Sequence, residues 1–355
     1  MNTYKIAVVA GDGIGLEVIP EGIKVLNAAA KKNGFSLTFD DFPWSARHFA
    51  KTGEVWPDNA LETLAPYRAI FLGAIGDPRL APDEKTVSPI LFGLRRGFDL
   101  YANVRPTVLL PGCKCPLANP GAIDMMIIRE NTEGEYSHVG GSIYTGRPEE
   151  VVTQVSMFTR RGCHRIMKYA FEEARRRKAR GLPGHVTNIT KSNALKHGMV
   201  FWDKCFGEVA QQYPDIKTQM QYVDAASMFF VTKPAMFDTV VCSNLFGDIL
   251  SDLGSALVGS LGTAASANLN PESKGPSMFE PVHGSAPDIA GKGLANPVAA
   301  ILAGAFMLRF LGENKAADQV QAACGKVIAA GKTLTPDFGG SSKTAEVGDA
   351  VAALV

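Results

Sequence analysis

Apolar residues in the first hundred positions occur in short continuous runs and in helix-like repeats. Residues 6–10 and 69–73 are strand-like apolar runs, and residues 36–39 predict a third strand. Between them, residues 17–32 place apolar side chains at intervals of about 3.6 and stop at an Asn-Gly pair, which is a helix-ending signal. Residues 58–64 predict a short helix. This alternation of strand and helix is typical of an α/β fold with a largely parallel sheet.

The middle of the chain interrupts this rhythm. Residues 140–148 are rich in glycine and polar residues and are followed by alternation over 151–158, which predicts a protruding hairpin, or arm. Strands are predicted at 123–128, 186–189, 219–223 and 239–242, and helices at 159–180, 194–212 and 248–259. In the helix-rich last hundred residues, 298–308 is apolar throughout. This stretch predicts a buried helix, because a membrane span needs about 18 residues.

Length and charge narrow the class of protein. A chain of 355 residues favours two domains. The net charge is +1, with 36 basic and 35 acidic residues, so neither nucleic acid nor an anionic membrane is an expected partner. The basic run 175–180 lacks interleaved aromatic residues and ends a predicted helix, where the helix dipole favours cations.

Six scattered cysteines lack the spacing of a zinc knuckle and are expected to be reduced thiols in a cytoplasmic protein. The strand-like first residues do not resemble a signal peptide.

Two glycine-containing segments partly resemble nucleotide-binding motifs. Gly11, Gly13 and Gly15 lie between a strand and a helix, but the dinucleotide fingerprint requires its third glycine at the position of Leu16. No acidic residue lies at the usual distance of about 20 residues. A tight strand–helix turn is therefore predicted. The 331–333 segment ends like a P-loop but has Lys326 where a glycine is required, so triphosphate chemistry is unsupported.

Asp248 and Asp252 are the most informative acidic residues. Four positions apart on a predicted helix, they lie on one face, and their like charges repel. A divalent cation would relieve this repulsion, and carboxylate oxygens suit Mg2+ or Mn2+. The spacing alone leaves open two solvated or capping aspartates.

Three arginines and one loop supply the other candidates. Arg95, Arg105 and Arg129 adjoin apolar or turn-forming sequence, and arginine pairs bidentately with carboxylates, so the three would suit a dicarboxylic acid. For any one of them alone, an ordinary surface arginine is the better explanation. The loop around His283 contains small and polar residues, which would either wrap an adenosine or form a structural turn.

Taken together, these segments resemble the metal-dependent β-decarboxylating dehydrogenases: isocitrate, 3-isopropylmalate, D-malate and tartrate dehydrogenases. The resemblance rests on segments spread over nearly the whole chain, namely 11–15, 103–106, 129–136, 190–193, 223–225, 244–252, 279–289 and 294–297. It implies an α/β, isopropylmalate dehydrogenase-like two-domain fold with a mixed parallel sheet, which is not a true Rossmann fold. A large cofactor-binding domain would comprise 1–100 and 255–355. Residues 101–254 would form a small substrate and dimerisation domain with an arm at about 137–158.

The resemblance also implies roles for individual residues in an NAD-dependent enzyme. Tyr136 and Lys191 would be catalytic, and Asp224, Asp248 and Asp252 would bind Mg2+ or Mn2+, with Lys191 and Asp224 supplied by the second subunit of a homodimer. Substrate-binding positions would be Arg95, Arg105, Arg129, Ser88 and Leu91. Cofactor-binding positions would be Ile14, Asn193, Glu280, His283, Gly284, Ser285, Ala286, Asp288, Ala295 and Asn296. Asp288 followed by Ile289 is similar to the NAD-using pattern, in which a carboxylate takes the ribose hydroxyls.

The substrate is expected to be a 2-hydroxy dicarboxylic acid. Glu133 and Glu135 stand where isopropylmalate enzymes typically have Gly and Ile, so the chain resembles the D-malate and tartrate branch most closely. The apolar pair Leu91 and Phe92 keeps 3-isopropylmalate open as an alternative. Isocitrate oxidation and a non-catalytic regulatory subunit are further alternatives, although the catalytic residues that such a subunit would be expected to lose are present.

Overall fold

The structure is a computed structural model that describes residues 2–355, and the chain divides into two compact units. Unit 1 comprises the residues up to Leu100 together with Val108–Asn119 and Ser255–Val355. Unit 2 comprises Tyr101–Thr107 and Pro120–Gly254.

Strands and helices alternate along most of the chain. The strands are β1 Thr3–Gly11, β2 Ser36–Asp41, β3 Ala69–Ala74, β4 Ala102–Val108, β5 Asp124–Glu130, β6 Gly134–Ile143, β7 Val151–Met157, β8 His185–Thr190, β9 Lys217–Tyr222, β10 Thr239–Cys242, β11 Ala265–Leu269 and β12 Ser277–Pro281. The helices are α1 Gly15–Asn33, α2 Ala46–Thr52, α3 Ala60–Leu64, α4 Asp83–Val87, α5 Gly93–Gly97, α6 Arg160–Ala179, α7 Gly198–Ala210, α8 Val223–Thr232, α9 Asn244–Leu257, α10 Val298–Phe310, α11 Asn314–Ala330 and α12 Thr344–Ala352. A π-helical turn, Ser88–Phe92, separates α4 from α5.

Unit 1 contains the strand order β2-β1-β3-β12-β11. The first four of these strands are parallel, and β11 runs antiparallel to β12. Every residue of β3 is buried, as expected for a central strand of a sheet covered on both faces. Helix α1 packs against α10 and α12, and α10 also contacts β12. The mixed sheet confirms the predicted α/β class.

Unit 2 contains the strand order β4-β5-β10-β8-β9, in which β5, β10, β8 and β9 are parallel. The hairpin predicted within 140–158 is present: β6 and β7 pair antiparallel, with Ile143 opposite Val151. All residues of β7 are exposed. A strand pair with so little burial is not expected to be stable by itself.

Some predicted bounds are wrong for reasons that local sequence does not reveal. The helix predicted from residue 194 begins at Gly198, because residues 191–197 form a turn in which the carbonyl of Lys191 accepts the amides of Ala194 and Leu195. Helix α8 lies where only the end of a strand was predicted.

Residues 108–119 belong to unit 1, although the sequence analysis grouped them with 101–254. Gly112 has a φ of +89°, and a Cβ there would lie 2.8 Å from the Ala329 Cα, so this segment packs directly on α11. Cys113 similarly lies beside Gly259. These contacts join residues far apart in the chain, which explains why no local pattern indicated them.

Three further expectations concern helix α10, membrane spans and the cysteines. Helix α10 is almost entirely buried, as its uniform apolar sequence predicted. Within residues 2–355, no helix is both long enough and apolar enough to cross a bilayer. All six cysteines are free thiols, and four of them are buried.

The basic run at the end of α6 is only partly a surface feature. Arg175 and Arg176 form exposed pairs with Asp215 and Glu173. Arg177, in contrast, is only 2% exposed, and its Nε donates to the fully buried Asp238 at 2.7 Å. A buried charge is stable only when it is paired, so this ion pair is a structural element of unit 2.

We predict that Arg177→Ala lowers the free energy of unfolding by about 3–5 kcal/mol, because the Asp238 carboxylate would remain buried without its cation. Urea unfolding followed by circular dichroism measures the change. Arg176→Ala is the matched control and is expected to cost less than about 1 kcal/mol, since an exposed pair contributes little. Equal losses for the two variants would contradict the assignment of Arg177 to the core.

Candidate active site

Arg129, the penultimate residue of β5, is a buried guanidinium fixed by α9. Its Nε and Nη2 both donate to Asn244 Oδ1, at 3.0 and 2.7 Å, and its Nη1 pairs with Asp248 Oδ1. Arg129 is only 2% exposed. Asn244 and Asp248 are four residues apart on α9, so one helix face holds two sides of the same guanidinium.

Arg105, on β4, approaches the same face of α9 one turn further along. Its Nη1 donates to Ser251 Oγ at 2.7 Å and lies 3.5 Å from Asp248 Oδ1 and 3.4 Å from Asp252 Oδ1. The two predicted metal-binding aspartates thus share one cation. The predicted substrate-binding residues Arg105 and Arg129 are therefore brought together with them in unit 2.

Tyr136, on β6, completes this group. Its hydroxyl donates to Asp248 Oδ2 at 3.0 Å, and the Arg129 guanidinium lies 5.6 Å from its ring centroid. Partial burial, and next the negative charge of Asp248, raise the pKa of the phenol above its ordinary value. The hydroxyl therefore stays protonated near neutral pH.

Asp248 and Asp252 offer donor atoms that suit a hard divalent cation. Partial burial, opposed by Arg105 and reinforced by the charge of Asp248, raises the pKa of the Asp252 carboxyl. Two carboxylates on one helix face are the oxygen donor set that Mg2+ and Mn2+ prefer, so the residues present fit such an ion.

A different cluster in unit 2 brings His164, Cys205 and Glu208 within 4.8 Å of one another. Its carboxylate already pairs with Arg160 and accepts from His164 Nε2. These contacts explain the cluster as an ion-pair network between α6 and α7.

Lys191 and Asp224 form a pair of their own. Lys191 follows β8, Asp224 lies in the first turn of α8, and Lys191 Nζ is 2.7 Å from Asp224 Oδ1. The hydrogen bond from Lys191 lowers the pKa of the Asp224 carboxyl. The Asp224 side chain is 67% exposed, and Asn193 is exposed in the turn after Lys191. Both polar groups of the pair are thus presented at the surface of unit 2.

The glycine turn in unit 1 contacts the predicted cofactor loop. Gly13 has a φ of +55°, and a Cβ there would lie 1.9 Å from the Ser285 carbonyl oxygen. The amide of Ile14 donates to that oxygen at 2.9 Å, and the Ser285 hydroxyl donates to the Gly76 carbonyl. Ile14 and Ser285 are therefore adjacent, with only glycine permitting the approach.

His283 precedes Ser285 in the chain, and Asp288 follows it. His283 Nδ1 lies 3.0 Å from the Gly284 carbonyl oxygen, and its Nε2 is buried without a hydrogen-bond partner among residues 2–355. Burial lowers the pKa of the imidazole, which favours the neutral ring. Asp288 is exposed, and Lys292 Nζ donates to its backbone oxygen at 2.7 Å. Ala286 adopts a φ of +40° between them.

Ala295 and Asn296 are buried just before α10. Asn296 Nδ2 donates to Asp337 Oδ2 at 3.0 Å, and its Oδ1 accepts the amide of Val298 at 3.1 Å. The Ala295 carbonyl accepts from Thr344 Oγ1 at 2.7 Å. Their side-chain and backbone bonds thus order the loop that leads into α10.

Arg95 is buried within unit 1. Its Nη2 lies 3.3 Å from Glu280 Oε1, which also accepts from Asn268 Nδ2 at 2.8 Å. Ser88 and Leu91 lie in the π-helical turn before α5, and Leu91 packs against the buried hydrophobic core of unit 1. Glu280 is therefore engaged with Arg95 in this structure.

Asn244 and Ser251 were not singled out by the sequence analysis, although both lie in or beside the segment that drew attention to the aspartates. Asn244 holds Arg129, and Ser251 holds Arg105. The available signal was their helical spacing from Asp248: four residues before it and three after it place all of them on one face.

Comparisons with known proteins find relatives over nearly the whole length of the chain. The sequence profile described as isocitrate/isopropylmalate dehydrogenase matches residues 5–351. The chain is 49% identical to the D-malate dehydrogenase [decarboxylating] of Escherichia coli K12 over 363 aligned positions, covering 100% of this chain and 99% of the relative. It is also 49% identical to the tartrate dehydrogenase/decarboxylase of Pseudomonas putida, covering 99% and 97% of the two chains. The crystal structure of isocitrate dehydrogenase from Methylococcus capsulatus superposes with a TM-score of 0.88 at 37% identity, covering 99% of this chain and 98% of that one.

We predict that Asn244→Leu lowers the free energy of unfolding by about 2–3 kcal/mol, because two donors of the buried Arg129 guanidinium lose their acceptor. Urea unfolding is again the measurement. Asn193→Leu, in an exposed turn, is the matched control and is expected to change stability by no more than about 0.5 kcal/mol. A neutral Asn244→Leu variant would show that Arg129 does not depend on this side chain.

Proposed function

Because the chain belongs to the isocitrate/isopropylmalate dehydrogenase family, we propose that it catalyses the NAD-dependent and metal-dependent oxidative decarboxylation of a small 2-hydroxy dicarboxylic acid, with D-malate or tartrate as substrate. It is an oxidoreductase that acts on a CH–OH group. The observation that supports this choice of substrate is the full-length identity of 49% with both a D-malate and a tartrate dehydrogenase. D-malate would give pyruvate and CO2.

The charge of the α9 group supports a dicarboxylate together with a divalent cation. Arg105 and Arg129 carry two positive charges, and Asp248 and Asp252 carry two negative charges. Adding one dication and one substrate with two carboxylates leaves this sum unchanged, so both can enter a partly buried site without an uncompensated charge.

The metal would be held by Asp248 and Asp252, with Asp224 supplied by a second subunit. When bound, Mg2+ or Mn2+ would act as a Lewis acid on the substrate oxygen at C2. The arginines would hold the carboxylates, since their planar guanidinium groups match a carboxylate bidentately.

Proton transfers are assigned to Lys191 and Tyr136. Bound NAD would supply the hydride acceptor for oxidation at C2. Lys191, next to Asp224, would take the hydroxyl proton of the substrate. Tyr136, whose hydroxyl donates to Asp248, would give a proton to the carbon that CO2 leaves. Arg129 behind that tyrosine favours the phenolate that remains.

The NAD site is proposed in unit 1. The buried, unpaired His283 Nε2 and the small residues from Gly284 to Ala286 suit an adenine ring, with Ile14 adjacent to Ser285. The exposed Asp288 carboxylate would accept the ribose hydroxyls and repel a 2′-phosphate. Asn193, Glu280, Ala295 and Asn296 remain proposed contacts around the cofactor.

A homodimer is supported by exposed apolar side chains on unit 2. Met228 and Val231 on α8 and Ile249 on α9 are exposed, as are Ile143 and Val152 on the hairpin. Large apolar side chains left exposed in this number are the kind of surface that a partner chain can cover. A second copy covering this surface would bring Lys191 and Asp224 to the site of its partner.

We predict that NADH formation, followed by absorbance, is fastest with D-malate or a tartrate isomer in the presence of Mn2+ and is lost with EDTA. 3-Isopropylmalate and isocitrate are run in parallel. Asp252→Asn should remove the activity because it removes a metal donor, whereas Asp215→Asn, which alters an exposed ion pair, should retain it. A preference for 3-isopropylmalate would contradict the proposed substrate. That alternative depended on Leu91 and Phe92, of which Leu91 packs against the core of unit 1.

We further predict that Asp288→Lys raises the KM for NAD by at least about tenfold, equivalent to ~1.4 kcal/mol, and improves the use of NADP. The lysine would remove the acceptor of the ribose hydroxyls and attract a 2′-phosphate. Asp58→Lys, at another exposed position of unit 1, is the control for the same change in net charge. An unaltered cofactor preference would show that the adenosine site is placed wrongly.

A further inference from the structure

Two glutamates that flank Gly134 each hold the start of a different helix. The Glu133 carboxylate accepts the amide and the hydroxyl of Thr159, both at 2.8 Å, at the residue that caps α6. Glu135 makes the equivalent pair of contacts with α9. In the sequence, these two glutamates are the positions that resemble the D-malate and tartrate branch. Neither has a part in the proposed chemistry.

Glu135 supplies the N-terminal cap of α9. Its Oε1 accepts from Ser243 Oγ at 2.7 Å, and its Oε2 accepts the amide of Leu245 at 3.0 Å. The first amides of a helix have no acceptor within the helix, and the positive end of the helix dipole favours an anion. Ser243 accepts the Gly247 amide through its carbonyl at 2.9 Å, as an N-cap residue does. Its hydroxyl, however, donates to Glu135, so the cap comes from β6.

Gly134 permits this contact. It has a φ of +78°, and a Cβ at this position would lie 3.3 Å from the Asn244 Cβ. The same close approach lets the Glu133 carbonyl accept from Asn244 Nδ2 at 3.0 Å. The Glu133 backbone before β6 therefore holds the Asn244 side chain, and the Glu135 side chain, in β6, holds the Leu245 amide of α9.

We propose that Glu135 is a positioning residue that fixes the start and rotation of α9 so that Asp248 and Asp252 present their carboxylates to one cation. Asn244, Asp248 and Asp252 recur every four residues, so the orientation of the first turn determines where both carboxylates point. The next residue, Tyr136, contacts the same helix one turn further along, where its hydroxyl donates to Asp248. This inference rests on the proposed role of the two aspartates as metal ligands.

The test compares Glu135→Gln with Glu133→Gln. Both variants remove one carboxylate charge from a helix start and keep the side-chain shape, but only α9 carries proposed metal ligands. Binding of Mn2+ alone is measured by electron paramagnetic resonance of the free ion, without substrate or NAD. Glu135→Gln is expected to weaken Mn2+ binding about tenfold, as loss of a group that orients metal ligands does. Glu133→Gln should stay within about twofold of the wild type, although both variants lose comparable thermal stability.

Steady-state kinetics gives a second readout. Glu135→Gln should raise the KM for Mn2+ and recover most of kcat when Mn2+ is saturating, which a general loss of folded protein would not do. Ser243→Ala, which removes one of the two bonds to Glu135, should weaken Mn2+ binding in the same direction by a smaller factor. It also keeps the inference testable if Glu135→Gln fails to fold.

Wild-type Mn2+ affinity in Glu135→Gln, or an equal loss in Glu133→Gln, would overturn the positioning role while leaving the proposed function intact. A wild-type protein that binds no Mn2+ would instead refute the proposed metal ligands, and the inference with them.

Discussion

The pairing of one buried guanidinium, that of Arg129, constrains the rest of the candidate site. A charge that is 2% exposed must be compensated nearby, and here two of its partners, Asn244 and Asp248, come from a single helix. The end of β5 is thereby locked to the first turn of α9. Tyr136, on β6, meets both members of this pair: its hydroxyl donates to Asp248, and the Arg129 guanidinium lies over its ring.

The same constraint makes the two aspartates tolerable. Like charges four residues apart on a helix repel, and in this structure Arg105 lies within 3.5 Å of both. The arginines are thus counter-ions for the helix before they are ligands for any substrate. Binding of the proposed cation and dicarboxylate would exchange these partners while keeping the total charge. The group would then be stable both alone and with these ligands.

The sequence predicts well whatever is decided by local periodicity. The 3.6-residue repeat of α1 and its Asn-Gly end, and the uniformly apolar α10, are found where they were expected. The start of α9 was placed at Asp248, four residues too late, although Ser243 is a residue type that often caps helices. The carboxylate that accepts the first α9 amide belongs to Glu135, over a hundred residues away, which no local pattern could indicate. Residues 108–119 were placed in the wrong domain for a similar reason, because their packing on α11 through Gly112 joins distant parts of the chain.

Site residues follow the same division. Spacing pointed to Asp248 and Asp252, and the resemblance to a family supplied Tyr136 and Lys191, but neither could show that Lys191 is held by Asp224 or that Arg95 faces Glu280. Such pairs join different strands and helices, so they appear only when the chain is folded. The basic run 175–180 shows the same limit. Arg175 and Arg176 are surface groups, whereas Arg177 points inward and pairs with the buried Asp238. Charge in a sequence therefore identifies which residues need partners, and the fold determines whether that partner is water, another side chain or a ligand.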